Sequence, residues 1–145
     1  MKNKKNKKII TNNIVINNID NDEQYYNNST YKLKVDKSYI ENAGNGVFTL
    51  EQIPSKSFIG YYEGEMVEHV NCGLYYFSIN DCCGINAMSF PRCYMAMLND
   101  GRNHIYNNCE FIIDNNYLKV ELWSIRDIKE GEELLIDYGV EYWTW

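Results

Sequence analysis

Histidine is nearly missing. The 145 residues hold two, His69 and His104, and neither stands in an HxxxH or HExxH spacing, so histidine-based metal or acid–base chemistry is almost excluded. No GxSxG elbow occurs, which removes hydrolases that present a serine on that turn. The five cysteines (Cys72, Cys82, Cys83, Cys93, Cys109) form no CxxC pair. A zinc site therefore lacks its usual spacing, the metal expectation is none, and buried free thiols are the default. Gly44-Asn45-Gly46 has no third glycine at the dinucleotide-binding interval; on its own it is a tight turn between strands. Apolar runs of membrane length are absent too, and the first eight residues are lysine-rich rather than an apolar leader. The expected home is a reducing intracellular compartment, nucleus or cytoplasm, with no membrane contact.

Basic residues are scarce where a nucleic-acid binder needs them. Residues 1–29 carry five lysines and three acidic residues; the remainder carries nine basic and seventeen acidic ones. An acidic body makes few phosphate contacts, so no direct nucleic-acid binding is expected from it. It suits a basic protein or peptide as partner. Thirteen tyrosines against five phenylalanines give many rings a hydroxyl that must find a partner.

Length suits one domain. Residues 1–29, rich in lysine and asparagine, read as a flexible segment, with Ile14-Val15-Ile16 as a candidate edge strand. From residue 30 onward the pattern changes. Tyr31–Val35, Val47–Thr49, Phe58–Tyr62 and Leu74–Ile79 read as short strands. Pro91–Leu98 has helical spacing for a turn or two, and Asp100–Asn108 is a polar loop. Glu110–Ile113 and Tyr117–Trp123 form a hairpin about Asn115-Asn116. Lys129-Glu130-Gly131-Glu132 is a turn, and Leu134-Leu135-Ile136 a buried strand. Many short strands with hardly any helix predict a mostly β domain of small curled sheets.

The last segment, KEGEELLIDYGVEYWTW, is unusually aromatic for a chain end. Taken alone it is either a plug on the core or the wall of a ligand pocket. Order decides between them. GNGVFT, YYEGEM, LYYFSI, INA, Asn99 ahead of Asn108-Cys109, and IRDIKEGEELLIDYG follow one another. That series resembles the SET domain of protein lysine methyltransferases over about residues 31–145. The resemblance implies a β-clip-like SET fold with a C-terminal pseudo-knot, an exception to the usual unknotted connections. It also implies S-adenosylmethionine as methyl donor and a lysine in a basic protein, possibly a histone tail, as acceptor.

Residue by residue, the resemblance assigns Gly44, Asn45 and Gly46 to the turn approached by the cofactor. It sets Tyr75 against the cofactor, gives Asn99 the cofactor's amino-acid end, and gives the Asp100 main chain a contact with its adenine. Tyr62 lines the lysine channel, with Ile136 and Tyr142 as further substrate contacts. Tyr138 is tied most closely to transfer, and Trp143 covers the cofactor. Three positions depart from the family pattern: Asp100 stands for its histidine, Ala96 for its arginine and Asn86 for its aspartate. These departures keep a second reading alive, a catalytically degenerate SET module that binds partners. Zinc-binding segments before and after the domain are absent from the sequence, as in the small viral members. The oligomeric state is left open, a homodimer included.

Overall fold

The computed structural model describes residues 24–68 and 73–139 in full, and the backbone of 9–11 and 14–16. A first antiparallel pair joins β1 (Ile9–Thr11) to β2 (Ile14–Ile16), the second being the expected edge strand. Next comes β3 (Tyr25–Tyr26), which pairs in parallel with β10 (Arg92–Cys93). Its two tyrosines pack on the main core. Tyr25 and Tyr26 therefore belong to the packed fold, five residues ahead of where the strand pattern becomes legible.

Strands β4 (Leu33–Lys37) and β5 (Asn45–Thr49) form an antiparallel pair in which Val35 faces Val47. The Ser38 amide closes the connection on the Gly44 carbonyl at 2.8 Å. Gly44 has φ +72°, the left-handed region in which a side chain is strained and glycine is not. A turn was expected here, and the strand it launches starts two residues earlier than the apolar residues suggest.

The central sheet has the order β12, β13, β6, built from Cys109–Asp114, Lys119–Ser124 and Phe58–Tyr61. Along β13, Val120, Leu122 and Ser124 are buried while Lys119 is exposed and Glu121 and Trp123 are half-buried. This is the two-residue period of a strand with one face inward. The expected hairpin is present, with Asp114 opposite Lys119 and four residues in the turn.

A third sheet joins β7 (Glu65–Glu68), β9 (Cys83–Asn86) and β8 (Tyr76–Ser78). Its first two strands were not legible: one is short and acidic, the other contains glycine and two polar ends. Leu74–Ile79 contracts to three residues. The helical spacing at 91–98 resolves into β10 followed by a single 3-10 turn, Tyr94–Met97, consistent with the modest length of the apolar pattern.

Two hydrophobic clusters form the interior. The larger gathers Ile53, Ile59, Met95, Leu122, Ile128 and Leu134; the smaller gathers Tyr62, Ile79, Ile85, Ala87 and Val120. Tyr75, Ala96 and Phe111 touch both. The C-terminal strand joins the larger cluster through Leu134 and Ile136. β14 (Leu135–Ile136) runs parallel to β11 (Asn99–Asp100). Gly101 donates to the Ile136 carbonyl at 3.2 Å, and Asn108 donates to the Leu135 carbonyl at 3.0 Å from the other side. The 99–108 segment thus grips the strand on both flanks, the crossing expected at the pseudo-knot. Several small sheets with little helix agree with the fold read from the sequence.

Candidate functional site

The Gly44-Asn45-Gly46 turn, the Leu98-Asn99-Asp100 segment and the end of β14 meet at one corner, held by polar contacts from distant parts of the chain. Asn99 donates its side-chain amide to the Asn45 carbonyl at 2.9 Å and to Glu133 Oε1 at 3.3 Å. Glu133 is 4% exposed. It also accepts from the Ser38 hydroxyl at 2.6 Å and from the Tyr39 amide at 3.0 Å. A buried carboxylate needs such donors, because transfer out of water without them is costly. Gly46 faces this carboxylate so closely that an added β-carbon would overlap it. Gly44 is the reverse case, with open space where a β-carbon would stand.

Immediately after β14, the Tyr138 amide donates to Asp100 Oδ2 at 2.9 Å, and its phenol donates to the Leu98 carbonyl at 2.7 Å. Gly139 follows at φ +87°, letting the chain turn away. Ile136 is buried two residues before the tyrosine.

Tyr62 leaves the end of β6 and is 7% exposed. Its ring lies between Phe77 and Phe111, with centroids 5.4 and 5.7 Å away. Burial, first of all, pushes its phenol well above the ordinary tyrosine range by disfavouring the charged form. Cys93 adds to that push, Arg92 opposes it, and the Tyr75 and Tyr138 phenols add again. The surroundings of Tyr62 thus include the Tyr75 and Tyr138 phenols. Six of the residues singled out from sequence (Gly44, Asn45, Gly46, Asn99, Asp100 and Tyr138) meet at the corner, and Tyr62 and Tyr75 lie alongside. Tyr142 and Trp143 fall outside the described residues.

Three residues, and the side chain of a fourth, carry weight here that local sequence did not disclose. Glu133 is one; it sits in an acidic turn that reads as solvated. Asn108 is fully buried, accepting from Leu135 at 2.9 Å and donating to the Glu133 carbonyl at 2.8 Å. Arg92, also buried, donates to the Ala87 and Met88 carbonyls at 2.7 and 2.6 Å. Its guanidinium lies 3.5 Å from the centre of the Tyr75 ring, a cation–π contact strengthened by exclusion of water. Asp100 was singled out, but for its main chain. Its side chain is turned inward onto Tyr138 and the Arg102 amide, the latter at 2.5 Å.

The site suits an S-adenosylmethionine-like group. Gly44 leaves backbone open to approach, and Asn99 places a side-chain amide, fixed by two acceptors, beside that turn. Both amide hydrogens of Asn99 are donated within the chain, so its side-chain oxygen is the atom it could offer an amino-acid end, as an acceptor for the ammonium.

Comparison with known proteins gives the same picture. Residues 44–139 match the SET domain family. The chain is 26% identical over 135 residues to the histone-lysine N-methyltransferase MEDEA of Arabidopsis thaliana, covering 84% of this chain and 19% of that protein. It thus spans about a fifth of the length of this relative. Solved structures of the Chaetomium thermophilum polycomb repressive complex 2 superpose at TM-score 0.61 and 23% identity, over 75% of this chain and 15% of that one. The same complex bound to GSK126 gives TM-score 0.61 at 24% identity, over 75% and 16%. A family match reaching from the GNG turn to the glycine after Tyr138 spans every element of the corner just described; the chain belongs to the SET-domain family.

Proposed function

We propose that the chain is an S-adenosylmethionine-dependent protein-lysine N-methyltransferase acting on a basic protein tail, with histones the first candidates. The observation that carries this reading is Tyr138, anchored at its amide by Asp100 and at its phenol by Leu98, on the segment that Asn99 ties to the glycine turn. The methyl donor, when bound, supplies a methyl group on a positively charged sulfur.

In this reading Gly44, Asn45, Gly46, Asn99 and Asp100 hold the donor, with Tyr75 against it and Trp143 covering it. Tyr62, Ile136 and Tyr142 line the passage for the lysine. The chain's task is to deliver a neutral amine in line with the methyl carbon. Free lysine has a pKa of about 10.4. Packing the amine against Tyr62 and Ile136 would remove water and disfavour the ammonium, and a positively charged donor opposite it would act in the same direction. A bound donor would supply the methyl carbon to the amine's lone pair and leave with its sulfur uncharged, while the amine's surplus proton would leave to solvent. Fixing the two reactants at attack distance accounts for much of the acceleration. Tyr138 contributes alignment, its oxygen accepting weak CH contacts from the methyl group.

The deciding experiment is labelled-methyl transfer to core histones and a basic peptide array. Incorporation that depends on Tyr138 is expected. A chain that neither binds the donor in calorimetry nor transfers methyl would instead be the degenerate module.

A further inference from the structure

Asn99 and Asp100 are neighbours on one short strand, so their side chains leave it in opposite directions. Asn99 turns toward the glycine turn and Glu133. Asp100 turns toward the C-terminal segment and spends one oxygen on each of two main-chain donors: Oδ2 on Tyr138 at 2.9 Å and Oδ1 on Arg102 at 2.5 Å. Asp100 is 5% exposed. Its strand is in register with β14, Asp100 opposite Ile136, two residues before the tyrosine. Two residues back from Asp100, the Leu98 carbonyl receives the Tyr138 phenol. Leu98 and Asp100, two positions apart, therefore hold Tyr138 at both ends.

We propose that Asp100 is a positioning residue for Tyr138. Resting on the methyltransferase reading, this gives the Asp100 side chain a role distinct from the main-chain contact with the donor that family resemblance assigns to the position. Both carboxylate oxygens are needed. An acid accepts two amides at once, each bond charge-assisted. Asparagine offers one acceptor and sets its NH2 against the second amide. Arg102 sits at φ +59°, a conformation its non-glycine backbone rarely adopts unless held. The bond from its amide fixes the turn that leads away from the site. The second bond sets where the tyrosine backbone begins, and the ring follows.

The test is a double-mutant cycle in the full chain, using D100N, Y138F and the pair, with core histones as acceptor. D100N should lower kcat by roughly 10- to 100-fold, the penalty of misplacing a group by about an ångström. Its KM for S-adenosylmethionine should stay within about threefold, since the donor contact at this position is main chain. In the Y138F background, D100N should have almost no further effect, because residues that act as a unit are non-additive. An equal D100N penalty in both backgrounds would overturn the proposal, as would a rise in donor KM with kcat intact. Wild-type kcat in D100N alongside an impaired Y138F overturns it alone; wild-type kcat in Y138F overturns the reading beneath it as well. Should D100N lose its thermal transition, D100S, smaller and with one acceptor, takes its place under the same expectations.

Discussion

Gly46 and Glu133 occupy the same corner from opposite ends of the domain: the space a β-carbon on Gly46 would need is filled by the Glu133 carboxylate. That carboxylate is not free to swing aside, since Ser38, Tyr39 and Asn99 all donate to it. Gly46→Ala should therefore destabilise the fold by about 1–3 kcal/mol, the range for overpacking a filled site. For a domain of this length that lowers Tm by roughly 3–10 °C, measurable by scanning calorimetry. Donor affinity should weaken with it, because Asn99 is displaced.

Glu133 itself is the stronger probe of the cofactor side. Glutamine at this position supplies one carbonyl oxygen and turns an NH2 toward donors. Glu133→Gln should cost about 1–3 kcal/mol of stability, the penalty for leaving buried donors unmet. It should also raise the dissociation constant for S-adenosylmethionine roughly tenfold, the worth of one charge-assisted bond. Isothermal titration checks this; unchanged affinity would detach Glu133 from the donor site.

Alkaline pH should unfold the chain earlier than its acidic composition suggests. Burial pushes up the Tyr62 phenol and the Cys93 and Cys109 thiols in the folded state. Unfolded, these groups return to about 10 and 8.5. The folded chain then holds protons that the unfolded chain releases, so stability is fully present below about pH 8 and falls as pH climbs from there. Tm measured from pH 7 to 10.5 should decline across the upper half, and Tyr62→Phe should flatten the last part. A flat curve in the wild type contradicts the burial of these groups.

Product multiplicity tests Ile136. An aliphatic side chain cannot hold a water or amine through a hydroxyl, so transfer should proceed past one methyl. Mass spectrometry should detect di- or trimethyl-lysine from the wild type, and Ile136→Tyr should shift product toward monomethyl. Monomethyl alone from the wild type rejects this role.

Much of the architecture was legible because it is local. The GNG turn announces its positive φ at Gly44, and β13 alternates cleanly between buried and outward residues. The parallel pairing of Asn99–Asp100 with Leu135–Ile136 is different in kind. No propensity in either pair signals a partner some thirty-five residues away; only the ordered series of motifs pointed to it. Glu133 lay hidden for a related reason. Within KEGEEL it looks like one more solvated acid, and only the approach of Ser38 and Tyr39, more than ninety residues away, makes it a buried acceptor. Sheet strands β7 and β9 were missed because glycine and charged residues occupy positions where strand-formers would have advertised them.

The most direct test is single-turnover methyl transfer to core histones by the wild type and Tyr138→Phe at matched donor occupancy. The phenylalanine loses one hydrogen bond to Leu98, about 1 kcal/mol of stability, so both chains remain folded under assay. The account predicts a rate at least roughly 100-fold lower for Tyr138→Phe with donor affinity little changed; equal rates in the two chains would contradict it.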